Sequence, residues 1–158
     1  MIAELFAPKS RGTVTLRNAD ATAIPIVDCN YLSDPLDLEV LAEACAYGNE
    51  IITEGAGTKD IVKGSWPSEL LHHKFKTRDD WKEYIKQNAT TCYHASGTCA
   101  AGKADNPNAV LDEKLQVRGV KGLRVADCSI MPTVNNGHTQ MPAYGIGEKA
   151  AQIKNGIE

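Results

Sequence analysis

Residues 13–17, Thr-Val-Thr-Leu-Arg, alternate polar and apolar side chains, and after the turn-forming Asn18-Ala19-Asp20 comes a short apolar run, Ile24-Pro25-Ile26-Val27. This period of two predicts a hairpin or strand pair, with the proline marking an edge. The period changes at Asp34-Pro35. A capping residue and a proline suited to the first helical position precede Leu38, Leu41, Ala42, Cys45 and Ile52 at helical spacing, predicting a helix over about 36–53. Gly55-Ala56-Gly57-Thr58 ends it, and the stretch to His72-His73 has no clean period, as expected of loop with short helical pieces. Thr77-Arg78-Asp79-Asp80 resembles a capping box, and Trp81, Tyr84, Ile85 and Asn88 behind it share one face of a helix over 78–88. Short strands follow at 110–111, 115–117 and 123–126, with Gly119-Val120-Lys121-Gly122 as a turn between the last two. Over 141–154 Ala143, Ile146, Ala150 and Ile153 form one stripe, so a final helix is expected despite Gly145 and Gly147.

These elements predict an α+β fold: an antiparallel sheet from the segments near 13–17, 24–27 and 109–117, with the helices near 36–53 and 78–88 packed on one face. Composition narrows the function more than the fold. With 42% hydrophobic and 23% charged residues, the 158-residue chain has an ordinary globular make-up, which excludes collagen-like and low-complexity classes. Seventeen Lys and Arg against twenty Asp and Glu are scattered rather than clustered, which argues against a nucleic-acid binder. No apolar stretch approaches the roughly 18 to 20 residues that cross a bilayer, and Met1-Ile2-Ala3-Glu4 does not open a signal peptide, so no membrane partner is expected and localisation is open. The five cysteines, Cys29, Cys45, Cys92, Cys99 and Cys128, form no C-x-x-C pair and are read mostly as small core residues.

Gly145-Ile146-Gly147-Glu148-Lys149-Ala150 has dinucleotide-loop spacing, but only eight residues follow Ala150, too few for the βαβ unit that fingerprint opens. His72-His73-Lys74 reads as an exposed polar tip. No histidine and cysteine pair has ligand spacing, so no metal site is expected. His94 lies among small residues in Cys92-Tyr93-His94-Ala95-Ser96-Gly97-Thr98-Cys99, a setting that suits a backbone approaching a ligand, although composition alone favours a histidine satisfied in a turn. His138 sits in the polar turn Asn135-Asn136-Gly137-His138-Thr139-Gln140, just before the last helix. The free N–H groups and positive dipole end of that helix would stabilise negative charge there.

Three segments in this order and spacing resemble the C-terminal region of the glucose-methanol-choline (GMC) FAD-dependent oxidoreductases, such as aryl-alcohol oxidase, glucose dehydrogenase and choline dehydrogenase. They are residues 93–99, residues 119–132 (Gly-Val-Lys-Gly-Leu-Arg-Val-Ala-Asp-Cys-Ser-Ile-Met-Pro) and Gly137-His138-Thr139-Gln140. Ser10-Arg11-Gly12-Thr13-Val14 and Asp28-Cys29-Asn30-Tyr31-Leu32 resemble the opening of the family's substrate domain. Ala101-Gly102 stands where Met-Gly is common, and Cys29 where proline is usual.

The resemblance implies a substrate-binding domain over 1–120, and a strand and helix in 121–158 that complete an FAD-binding α/β domain otherwise absent here. It implies oxidation of the CH–OH group of a small alcohol, with His94 as the base, His138 orienting the alcohol, and hydride passing to flavin N5. Tyr93, Ala126, Asp127, Thr139, Gln140 and Met141 would face the FAD. A histidine suits the proton step because its unperturbed pKa lies near about 6.5. The family's N-terminal G-x-G-x-x-G unit is not in these residues, so the FAD domain is the expected partner, in cis or in trans. Two alternatives go with this reading: a non-catalytic remnant that binds no FAD, and a family member performing a non-redox cyclisation.

Overall fold

A computed structural model describes residues 1–157, which form two compact units: Met1–Gly12 with Val27–Thr90, and Thr13–Ile26 with the described residues from Thr91 onward. β1 (Thr13–Thr15) and β2 (Ile26–Asp28) pair in a small antiparallel ribbon.

The first unit is built on α1 (Pro35–Glu54) and α2 (Arg78–Asn88). Asp34 caps α1 by accepting the Leu36 N–H at 2.9 Å, and Pro35 takes the first turn, where its missing N–H costs nothing. The capping box at α2 is reciprocal: the Thr77 hydroxyl accepts the Asp80 N–H, and the Asp80 carboxylate accepts the Thr77 N–H at 2.9 Å. Trp81 and Ile85, one turn apart on α2, are buried against Ala42 of α1, with Leu38, Leu41, Cys45 and Phe75 around them. Ion pairs of Lys82 with Glu39 and of Arg78 with Glu43 also join the helices. Exposed pairs of this kind add about 1 kcal/mol or less, so the apolar faces decide the packing.

The N-terminal segment is strapped to α1 by a buried carboxylate. Asp37, 3% exposed, accepts the backbone N–H groups of Lys9 at 2.7 Å and Ser10 at 2.8 Å. Burial alone would raise its pKa, but those N–H groups, the Ser10 hydroxyl and the charge of Arg11 outweigh it and hold the carboxyl below the usual range. Gly12 ends the strap because a Cβ there would collide with the Asp28 carbonyl.

His72 and His73 are not an exposed tip. Both are half-buried in a short 3-10 turn, His72–Lys74. The His72 ring lies 5.4 Å from Tyr84 and 6.0 Å from Trp81, which itself meets Phe75 edge-on at 5.2 Å. A chain that must bring Phe75 back over α1 has to bury its neighbours too, and Asn49 fixes that return by donating to the carbonyls of His73 and Phe75.

In the second unit the expected third sheet segment does not form. Residues 109–117 make isolated bridges, Leu111 with Ala101 and Val117, and Gln116 with Arg124. Asp112 accepts the N–H groups of Lys114 and Gln116, and Leu115 adopts a left-handed φ of 60°; this local turn bonding stops a ladder from propagating. Ala109, Leu111 and Leu115 are the buried residues here. The Arg118 guanidinium closes the neighbouring loop by donating to the carbonyls of Gly102 at 2.7 Å and Lys103 at 2.8 Å. The unit ends in α3 (Gln140–Asn155), which contains the Gly145–Ala150 spacing within one continuous helix rather than at a strand-to-helix turn.

The cysteines are free; Cys29 is exposed and the other four are half-buried, so none is a fully buried core residue. The 17.0 kDa chain exposes 11521 Å². A single globule of this mass exposes about 7,700 Å², and two separate globules of half the mass about 9,300 Å². About 2,000 Å² is therefore uncovered even when the units are counted apart. On α3 no described residue is buried, and Met141 and Tyr144 are 75% and 67% exposed.

The His72 ring gives the first unit an acid sensitivity. Burial and the neighbouring charge of His73 lower its pKa. The folded state thus takes up the proton less readily than the unfolded chain, so its contribution to stability is complete above about pH 6.5 and is lost as the pH falls below that value. Thermal unfolding followed by tryptophan fluorescence should show a midpoint that drops between about pH 7.5 and about pH 5.5, with much of the drop absent in His72→Phe. The same pH dependence in the variant would contradict this.

Candidate active site

The second unit brings together the segments that the sequence keeps far apart. The N–H groups of Cys99 and Ala101 donate to the carbonyls of Ser129 and Ile130 at 3.0 and 2.9 Å, joining residues 97–101 to residues 127–132. Gly97 takes a left-handed φ of 86° where its Cα faces the Met131 carbonyl, a conformation that a side chain would strain. Asp127 caps the 3-10 turn Cys128–Ile130 by accepting the Ser129 N–H at 2.8 Å, and the Ser129 hydroxyl, with that N–H, holds its carboxyl below the usual range. The Cys128 thiol faces the Thr139 carbonyl at 3.8 Å, tying that turn to the start of α3.

At this junction the two histidines meet. His138 Nδ1 lies 3.1 Å from His94 Nε2, with ring centroids 4.9 Å apart. His94 is half-buried and His138 is exposed. On its other side His94 Nδ1 is 3.0 Å from the Cys92 sulfur. The backbone between Cys92 and His94 is fixed by Tyr93, which adopts a left-handed φ of 62°, donates its N–H to the Thr91 hydroxyl at 2.9 Å and leaves its side chain 88% exposed. A non-glycine residue in that conformation costs about 1–3 kcal/mol, so the surroundings impose it. Asn135 supports the second histidine by donating to the His138 carbonyl at 3.2 Å, while its own side-chain oxygen is buried without a partner among the described residues.

The other residues singled out from the sequence fall into two groups. Thr139, Gln140 and Met141 directly follow His138 at the start of α3, where Thr139 makes no side-chain cap bond. Ala126 and Asp127 are exposed and border the capped turn, and the Asp127 carboxylate is committed to that cap. Cys92 and Asn135 were not legible as site residues. Cys92 stands two residues before a histidine and reads as a small core residue, and Asn135 reads as one of several turn formers. Among the described residues no group of His, Cys, Asp or Glu is arranged to hold a metal ion.

Two facing imidazoles at a half-open surface, beside an uncapped helix start, make a site for moving a proton next to a bound group. Residues 8–147 match the GMC oxidoreductase family in its C-terminal domain, and the chain belongs to that family, whose members are FAD flavoproteins. It is 40% identical over 151 residues to versicolorin B synthase from Aspergillus parasiticus, covering 96% of this chain and 23% of that protein. It is 38% identical over 143 residues to an oxygen-dependent choline dehydrogenase from Sinorhizobium medicae, covering 90% of this chain and 25% of that protein. A structure of formate oxidase from Aspergillus oryzae RIB40, solved in a study of FAD modification, superposes with a TM-score of 0.79 at 30% identity, covering 90% of this chain and 24% of that one. The chain therefore spans about a quarter of the length of these relatives.

Replacing Gly97 with Ala should destabilise the second unit by about 1–2 kcal/mol, because its φ is left-handed. Denaturant unfolding measures this; a variant as stable as the parent would show that the contact between residues 97–101 and 127–132 does not need that conformation.

Proposed function

We propose that this chain is the substrate-binding and proton-accepting portion of an FAD-dependent oxidoreductase that oxidises the CH–OH group of a small alcohol. The observation that carries the reading is the contact of His94 Nε2 with His138 Nδ1 at 3.1 Å, in a chain whose relatives include a choline dehydrogenase. An alcohol hydroxyl seated at this pair would give its proton to His94 Nε2, with His138 orienting the oxygen. Such positioned general-base catalysis contributes about 10²–10⁴-fold. FAD, when bound, supplies the hydride acceptor at flavin N5.

The residues present fit that cofactor. The first N–H groups of α3 lack a side-chain cap and follow His138 directly, which suits an anionic edge. Thr139, Gln140 and Met141 would hold that edge, with the exposed Tyr93 and Ala126 on the same group. Asp127 would act by holding the backbone of its turn in place. We read residues 1–120 as the substrate-binding domain and residues 121–158 as a strand and helix completing an FAD-binding α/β domain. The uncovered apolar side chains of α3 support this reading, since Met141 and Tyr144 need a partner surface. The remainder of that domain would be supplied in cis or in trans.

A second reading is favoured by the likeness to versicolorin B synthase: the same scaffold used for a non-redox cyclisation. Anaerobic bleaching of the flavin by an alcohol distinguishes the two. With the chain joined to the FAD-binding portion of a family relative, alcohols should reduce the flavin, and His94→Ala should slow that reduction by about 10²–10⁴-fold. An unchanged rate in the variant would overturn the role of His94, and no bleaching by any alcohol in the parent would favour the second reading.

A further inference from the structure

We infer that Cys92 is a positioning residue for this reaction: its sulfur accepts the Nδ1–H of His94 and so keeps the Nε2 lone pair turned toward His138 and the substrate hydroxyl. The inference rests on the proposed role of His94. The Cys92 sulfur and the Nδ1 of His138 lie on opposite nitrogens of one imidazole, at 3.0 and 3.1 Å. A neutral imidazole carries one N–H, so the two contacts cannot be chosen independently. If the thiol donates to Nδ1, the ring proton sits on Nε2, and neither nitrogen keeps a lone pair for an incoming hydroxyl. If Nδ1–H donates to the sulfur, Nε2 accepts from an N–H at Nδ1 of His138, and an entering alcohol can displace that bond, its hydroxyl donating to the freed Nε2 lone pair while its oxygen accepts the His138 N–H. Only the second arrangement leaves a base at the atom that faces the second histidine.

The arrangement is built into the backbone. Tyr93 is held in a left-handed conformation between the two residues, its N–H bound to the Thr91 hydroxyl, so sulfur and ring are presented to each other by the main chain rather than by side-chain chance. When His94 takes the alcohol proton at Nε2, its Nδ1–H still faces the sulfur, which continues to accept as the ring becomes charged. No atom of Cys92 touches the substrate.

Cys92→Ser and Cys92→Val separate this role from space filling. Serine keeps an acceptor at the same place, whereas valine keeps the bulk without one. In the 158-residue chain with ¹⁵N-labelled histidine, long-range proton–nitrogen spectra should show His94 with its proton on Nδ1 in the parent and in Cys92→Ser, and shifted toward Nε2 in Cys92→Val. In the chain joined to a relative's FAD-binding portion, Cys92→Val should lower kcat for flavin reduction by benzyl alcohol about tenfold with KM little changed, and Cys92→Ser should restore it. An Nε2–H tautomer in the parent, or a Cys92→Val protein with the parent kcat, would overturn the inference. If His94→Ala kept the parent rate, the catalytic reading would fall instead, and the tautomer measurement would still decide whether Cys92 directs the ring.

Discussion

The proposed chemistry depends on one contact, two ring nitrogens 3.1 Å apart. At that distance one nitrogen must carry a proton and the other a lone pair, so the pair defines a direction for proton movement. Holding it requires three stretches of chain that are remote in sequence. Residues 97–101 are bonded along residues 127–132, the turn there is capped by Asp127, and the Cys128 sulfur and Asn135 fix the approach to α3. Backbone bonds between distant stretches and side-chain bonds from Asp127, Cys128 and Asn135 together hold the site in a unit whose fully buried residues are few.

The same unit leaves its last helix uncovered. Its α3 carries large apolar side chains in the open, Met141 and Tyr144. The chain matches about a quarter of each relative's length. The first unit is held by its own helix pair, whereas no described residue of α3 is buried. In that pair Trp81 and Ile85 are buried against Ala42.

Local signals were readable where one residue type has one physical use. Asp34-Pro35 and Thr77 to Asp80 mark helix starts because caps and first-turn prolines satisfy or spare the free N–H groups, and both helices begin where those residues place them. Residues 109–117 misled because short apolar runs look alike whether a ladder continues or is cut by turns, and the turn bonds of Asp112 decide that only in three dimensions. His72 was misjudged because neighbouring polar letters conceal a ring packed on aromatics contributed by a helix further along the chain. At the site, the two histidines stood out through the order and spacing of whole motifs. The supporting Cys92 and the strap from Asp37 to Lys9 and Ser10 depend on side-chain direction, which no spacing rule supplies.

The central claim is that an imidazole at position 94 removes the substrate proton. The most direct measurement is chemical rescue: anaerobic flavin reduction by an alcohol in the chain completed with an FAD-binding portion, carrying His94→Gly, with and without added imidazole. Imidazole should restore reduction in proportion to the concentration of its neutral form. A variant that reduces its flavin equally well without imidazole would contradict it.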